Sequence, residues 1–174
     1  MKTRVDAIAM LALICVTAIW GSTFFIIKGI LTAIPTLDFL GVRFFIAALV
    51  IFVLRGRTLL RAPVTTWKRG LMAGTVFAVA QIVQTIGLET ADASVSGFIT
   101  GMYVILTPLL LFIAFRTPIS KPVVFALVLA FTGLSILSLN GLSVGLGEGL
   151  TFISAVLFAC LLYTSDAADD STEV

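Results

Sequence analysis

Three stretches of this chain run for about 20 residues each without a charged side chain, and they constrain the fold more than any other feature. They are residues 7–27, 70–88 and 93–115. The hydrocarbon core of a bilayer is about 30 Å thick, so a helix that rises 1.5 Å per residue crosses it in about 20 residues. Only 11% of the residues are charged, against about 25% in soluble domains. The sequence therefore predicts an all-α, polytopic transmembrane helix bundle.

Three further apolar stretches are less regular. Residues 34–54 include Asp38 and Arg43, residues 123–140 follow a segment with two prolines, and the third begins after Glu148 and reaches only residue 163. As a helix the last stretch is about 22 Å long, and about five more residues would bring it to the opposite interface. The sequence thus predicts five complete spans and a partial sixth.

Positive charges fall on alternate connections between these spans. Nine of the eleven Lys and Arg residues would share one face: Lys2, Arg4, Arg55, Arg57, Arg61, Lys68, Arg69, Arg116 and Lys121. Because positively charged loops are retained in the cytoplasm, the pattern predicts a multi-pass protein of the cell (inner) membrane with a cytoplasmic N-terminus. The connections are too short for soluble domains, so the function is expected within the bundle, among lipid and small molecules and without nucleic acid.

Three motifs occur in order along the first four spans. They are "WGSTFFIIKG" at residues 20–29, "RFFIAAL" at residues 43–49 and "QTIGLETADASVSGFITGMYVILTPLL" at residues 84–110. Together they resemble the EamA-type family of the drug/metabolite transporter superfamily. The resemblance implies a ten-helix fold of two five-helix inverted repeats, a central cavity near the midplane, and export of amino acids or other small metabolites by alternating access.

The same resemblance implies how the chain divides. Residues 1–146 would form the first EamA-like repeat, and residues 147–162 would begin the second repeat with part of the sixth span. Setting Asp6 against Glu148 aligns an acid and a following apolar run in both places. An odd number of spans lies between them, which would invert the second copy.

Arg43 is the first candidate for substrate binding. It lies about 13 Å into its predicted span, where a charged group needs a partner or water. Asp38 is five residues away, which is not the favourable helical spacing of three or four. Arg43 would either attract a carboxylate-bearing substrate or clamp onto helix carbonyls or a polar neighbour.

Two polar stripes on adjacent spans are the next candidates. Gln81 and Gln84 share a face of the third span, and Thr100, Tyr103 and Thr107 share a face of the fourth. Each stripe could line a transport path or form ordinary hydrogen bonds between helices. As a set, they favour a cavity.

Other residues are candidates for gating, packing or bending. Trp20 is either an interfacial anchor or, by the resemblance, a lining or gating residue. Gly70 with Gly74, and Gly97 with Gly101, form small-residue patterns that let helices pack closely. Pro108 would remove a helical hydrogen bond and bend the fourth span.

The end of the chain departs from these patterns. Residues 163–174 are acidic and lack Lys and Arg, although the predicted orientation puts them in the cytoplasm. The string "YTSDAADD" is similar to translated sequencing-adapter read-through. The prediction is that residues from about Leu162 onward are not native and that the chain is a fragment; the alternative is a genuine, disordered acidic tail.

The leading functional hypothesis is a secondary exporter. The alternatives are a non-transporting membrane subunit or scaffold, and a half-length protein that acts as a homodimer in place of a missing second repeat. A four-span proton-coupled exporter would need a buried carboxylate, which the first span lacks. The chain has no His and only scattered acids, so neither an enzyme nor a metal or cofactor site is expected.

Overall fold

The protein is a bundle of α-helices. A computed structural model describes residues 2–116, 120–139 and 145–170, and within these ranges the only regular elements are helices. They are α1 (Lys2–Leu31), α2 (Thr36–Leu60), α3 (Val64–Thr90), α4 (Ala93–Gly101), α5 (Tyr103–Phe115), α6 (Lys121–Leu139) and α7 (Leu146–Asp170). The predicted all-α fold is confirmed.

Among the described residues, five stretches are long and apolar enough to cross a membrane. They are Ile8–Leu31, Thr36–Leu60, Val64–Thr90, Ala93–Ile113 and Leu146–Tyr163. The fourth combines α4 and α5, and α6 contributes a shorter apolar stretch at Lys121–Ala130. The chain is therefore a multi-pass membrane protein, as the hydropathy pattern predicts.

Proline determines where two of the helices begin. Pro35 precedes α2 and has a ψ of 143°, and Pro63 precedes α3 and has a ψ of 153°, so both prolines have extended backbone. A proline ring fixes φ and disfavours helical backbone in the residue before it, so the preceding helix ends and the next one starts within a few residues. These short connections make α2 antiparallel to both α1 and α3, and α3 contacts both of the other two helices.

The core lies between α3, the α4–α5 span and α7. Met102 and Leu106 pack there against Ala155 and Ala159 of α7. Only 6% of the most apolar window of α1, and likewise of α2, is buried, against 33% for Ala93–Ile113 and 28% for α7. Thus α1 and α2 present most of their surface outward, and α7 is held chiefly by α3.

Two glycines permit the close crossing of α3 and α7. A Cβ added at Gly147 would lie 2.6 Å from both the Ala91 nitrogen and the Gly87 oxygen, and one added at Gly87 would lie 2.7 Å from the Gly147 oxygen. Any side chain at either position would therefore force the two backbones apart.

The four glycines predicted to mediate packing lie elsewhere. A Cβ at Gly70, Gly74 or Gly101 would meet no atom within 4 Å, and one at Gly97 would lie 3.7 Å from the Phe24 ring. A side chain at Gly70, Gly74 or Gly101 would therefore extend into open space among the described residues, and a packing role for these three glycines stays a prediction. Small-residue spacing shows where a close approach is possible, but not which face of a helix is used.

The fourth span is interrupted at Met102 and not at Pro108. Pro108 lies inside α5, whereas α4 ends at Gly101. The Met102 N–H is shared between the carbonyls of Phe98, at 3.3 Å, and Ile99, at 3.1 Å. Gly101 stabilises a helix poorly, and the turn forms beside it.

At the end of the chain, the apolar part of α7 stops at Tyr163 as expected, but the helical backbone continues to Asp170. Residues 171–174 of the predicted tail lie outside the described residues. The assignment of residues 163–174 as a separate, non-native segment therefore stays a prediction.

Candidate functional site

A cleft of about 350 Å³ lies between α1, α2, α3, α5 and α7. Its lining residues are Trp20, Arg43, Phe77, Gln81, Gln84, Tyr103, Phe158, Leu161 and Leu162. Five of the seven residues proposed from the sequence for substrate binding meet here, although they come from four different helices. The structure does not bring the other two, Thr100 and Thr107, into the lining.

Thr100 supports the cleft from behind. Gln84 Nε2 donates a hydrogen bond to Thr100 Oγ1 at 2.8 Å, and both side chains are buried. A buried amide that is hydrogen-bonded keeps its position, whereas an unpaired one would be costly in this environment. Gln84 therefore combines both roles considered for the polar stripes, because it lines the cleft and bonds to a neighbouring helix.

Thr107 is satisfied within its own helix. Its hydroxyl donates to the Tyr103 carbonyl at 2.8 Å, and the side chain is buried. The predicted stripe of Thr100, Tyr103 and Thr107 assumed one regular helix, but the turn at Met102 separates Thr100 from the other two. Of the three residues, only Tyr103 lines the cleft.

Aromatic rings form one wall of the cleft. Trp20 and Tyr103 meet edge to face at 6.1 Å between centroids, Tyr103 meets Phe158 at 6.4 Å, and Phe158 meets Phe77 at 5.9 Å. Such pairs have defined geometry and add about 0.5 to 1.5 kcal/mol each beyond burial. The wall joins α1, α3, α5 and α7.

Sequence reasoning missed Phe77 and Phe158. Phe77 lies one helical turn before Gln81, on the face that α3 presents to the cleft, so this spacing was a usable signal. Phe158 had no comparable signal, because its role depends on how α7 packs against α3. Phe77 also meets Phe44 edge to face at 6.1 Å, which extends the aromatic wall to α2.

Arg43 supplies the one charged side chain among the lining residues of the cleft. It is exposed, and its guanidinium carbon lies 5.8 Å from the centroid of the Phe44 ring. The cleft thus combines one fixed positive charge with two amides and a phenol. An anionic group entering it would meet a charge-assisted donor in a setting of low dielectric.

A smaller cavity continues from the cleft. It has a volume of about 20 Å³ and shares Trp20, Arg43, Gln81 and Gln84 with the cleft. Thr85 and Leu88 are among its other lining residues. This space suits a single water molecule among polar groups, so the cleft narrows sharply in the direction of Leu88.

Beyond this narrow cavity, polar contacts tie α1 and α2 to the C-terminus of α3. The Lys28 ammonium donates to the carbonyls of Ala91 and, at 3.4 Å, Leu88, where the α3 macrodipole is negative. The Thr36 hydroxyl donates to Glu89 Oε1. We call this region, with the Gly87–Gly147 crossing, the Glu89 end of the bundle.

Comparison with known proteins gives two matches. Residues 7–139 match the EamA-like transporter family. The chain is also 34% identical over 139 residues to an uncharacterized transporter of Archaeoglobus fulgidus, covering 79% of this chain and 42% of the relative. The chain therefore spans less than half the length of that relative. No solved structure matches the chain.

Proposed function

The chain belongs to the EamA-like transporter family, and from that premise we propose that it forms part of a secondary transporter that exports small metabolites, such as amino acids, by alternating access. The observation that carries the proposal is the cleft in which Trp20, Arg43, Gln81, Gln84 and Tyr103 converge. Charged side chains inside a membrane are costly unless they meet water or a partner, and they commonly mark a substrate pathway.

The lining of the cleft favours a substrate with a carboxylate. Arg43 can bind a carboxylate in a bidentate manner, and Gln81 and Gln84 offer amide donors and acceptors close by. The rings of Trp20, Tyr103 and Phe158 would contact the apolar part of the same molecule. An amino acid or a similar small acid combines these features.

A complete transporter would need more walls than this chain provides. The chain corresponds to 42% of its relative from Archaeoglobus fulgidus, which supports a ten-helix arrangement in which a second, inverted five-helix repeat closes the cleft. A second copy of the chain, as a homodimer, is the alternative source of the missing walls. In either arrangement the nine clustered cations favour the inner membrane and a cytoplasmic N-terminus.

The Glu89 end supports a direction for the access path. In the proposed orientation this end faces away from the cytoplasm. The small cavity that continues from the cleft toward this end has a volume of only about 20 Å³. A substrate would then enter from the opposite end, and the bonds of Lys28 and Thr36 would have to loosen before release. The turn at Met102, next to Tyr103, gives the α4–α5 span a place to bend during that change.

The cleft also bears on the rival scaffold hypothesis. A non-transporting subunit would bury its polar stripes against neighbouring helices, as Thr100 and Thr107 are buried. Gln81, Arg43 and Tyr103 instead line open space. That difference favours transport.

The proposal is tested by Arg43→Gln in a gene that encodes the complete transporter. We expect export of amino acids from cells loaded with dipeptides to fall about tenfold or more, because a hydrogen bond to a charged group contributes about 1.5 to 3 kcal/mol. Lys121→Gln, which removes an exposed cation at the start of α6, is the matched control and should leave export unchanged. Normal export by Arg43→Gln, with equal protein in the membrane, would contradict the proposal.

A further inference from the structure

An apolar groove of about 600 Å³ lies where α2 ends and α3 begins, and it shares no lining residue with the candidate cleft. Its lining residues are Leu59, Ala62, Thr66, Trp67, Gly70, Leu71, Gly74, Thr75, Ala78 and Val79. The Thr75 hydroxyl is satisfied by the Leu71 carbonyl at 2.8 Å. The groove therefore presents hydrocarbon surface along most of its length.

The dimensions of the groove match one leaflet of a bilayer. From Trp67 to Val79 the helix rises about 18 Å, and half of the hydrocarbon core is about 15 Å. Gly70 and Gly74 form its floor, and a Cβ at either position would meet no atom within 4 Å. An extended chain could lie along this floor without displacing any side chain.

The mouth of the groove is strongly cationic. Five exposed cations lie close along the chain to its lining residues Leu59, Ala62 and Trp67: Arg55, Arg57, Arg61, Lys68 and Arg69. No Asp or Glu occurs between Asp38 and Glu89, so this segment supplies no carboxylate to neutralise them. Trp67 lies at the same level with half of its side chain exposed, and tryptophan favours the headgroup region of a membrane.

We infer that this groove binds an anionic phospholipid, with one acyl chain along Gly70 and Gly74 and the headgroup phosphate held by Arg61 and Lys68, the cations next in the chain to the lining residues Ala62 and Trp67. Basic pockets between transmembrane helices bind anionic headgroups. A zwitterionic lipid would fill the apolar part equally well, but it would leave the cations without a net negative partner. The inference is independent of what the transporter carries.

The two tryptophans of the chain provide the test. In the 174-residue chain, Trp20→Phe leaves Trp67 as the sole reporter at the groove, and Trp67→Phe leaves Trp20 as the reporter at the cleft. Each variant is placed in phosphatidylcholine vesicles with a small fraction of either brominated phosphatidylglycerol or brominated phosphatidylcholine, which quench tryptophan on contact. Brominated phosphatidylglycerol should quench Trp67 several-fold more than brominated phosphatidylcholine, whereas Trp20 should show no preference.

Matched variants separate the headgroup from the chain. Arg61→Gln/Lys68→Gln should remove most of the several-fold preference of the Trp67 reporter for phosphatidylglycerol, since cations near the membrane surface attract anionic headgroups. Arg116→Gln/Lys121→Gln removes two cations from the connection between α5 and α6 and should leave that preference unchanged. Gly74→Leu should fill the groove and reduce the quenching of Trp67. Gly41→Leu, where the added side chain also meets open space on a helix, should leave the quenching of Trp67 unchanged.

Two results would overturn the inference. Equal quenching of Trp67 by both brominated lipids would mean that the groove contacts only the ordinary lipid annulus. Weak quenching of Trp67 by both lipids would mean that protein, such as a second copy of the chain, occupies the groove.

Discussion

The two ends of the bundle are built differently. At the Glu89 end, Lys28 and Thr36 bind the end of α3, and Gly87 and Gly147 bring α3 and α7 into backbone contact. At the opposite end, which we call the Trp67 end, a short connection joins α2 to α3, and an open apolar groove runs from it along α3. The described helices therefore close the bundle at one end and leave an apolar groove open at the other.

The first prediction tests the Glu89 end at its closest contact and carries the largest expected effect. Gly147→Ala would place a Cβ 2.6 Å from the Gly87 oxygen and the Ala91 nitrogen, which forces the helices apart. We expect the free energy of unfolding to fall by about 2 to 3 kcal/mol, as for overpacked cores. It is measured by denaturant titration in detergent micelles.

Gly149→Ala is the control on the same helix. A Cβ there meets no atom within 4 Å, so the substitution should be neutral or stabilise α7 by up to about 1 kcal/mol. If both substitutions gave the same change, the close crossing of α3 and α7 would not hold the Glu89 end together.

The second prediction compares one lysine at each end. Lys28→Met removes the bonds to the Ala91 and Leu88 carbonyls and the favourable interaction with the negative end of the α3 dipole. We expect a loss of about 1 to 2 kcal/mol in the free energy of unfolding. Lys68→Met, at the Trp67 end, should change it by less than about 0.5 kcal/mol, as is usual for an exposed surface position.

Both lysine variants should be measured in detergent without anionic lipid. Adding phosphatidylglycerol should then stabilise the parent chain more than Lys68→Met, because the parent keeps its full cationic mouth. Equal losses for the two variants without lipid would remove the distinction between the two ends.

Much of the fold follows from the sequence because membrane insertion is governed by local composition. Uncharged runs of about 20 residues determine where the spans lie, and charge and polarity within a span selected Arg43, Gln81, Gln84 and Tyr103 as candidate binding residues, which the structure places around one cleft. Their role in binding stays a prediction. Trp20 was also found, through its motif. These signals depend on single helices and do not require knowledge of how the helices pack.

The faces of the helices could not be predicted in the same way. In lipid, outward and inward surfaces are both apolar, so hydrophobic periodicity does not reveal which side of α3 meets α7. Four glycines were chosen by spacing, while the close crossing uses Gly87 and Gly147. The position of Phe158, and the separation of Thr100 from Tyr103 by the turn at Met102, likewise result from packing between helices.

The last prediction sharpens the comparison along α7, which starts at the Glu89 end and runs away from it. Near its start, Thr151 Oγ1 donates to the Gly147 carbonyl at 2.9 Å and lies 3.4 Å from Ser96 Oγ. Further along, the Ser154 hydroxyl is fully buried and has no hydrogen-bond partner among the described residues. Of these two buried hydroxyls of α7, the one at Thr151 is therefore paired and the one at Ser154 is not.

Ser154→Ala should therefore leave the free energy of unfolding unchanged or raise it by up to about 1 kcal/mol, because it removes a buried polar group that forms no bond. Ser96→Ala, also at a fully buried serine, should lower the same quantity by about 0.5 to 1 kcal/mol through its lost contact with Thr151. Denaturant titration of the two variants side by side measures the difference. If Ser154→Ala were the more damaging of the two, its hydroxyl would have a partner in the assembled transporter, and the contrast between Ser154 and Ser96 would be lost.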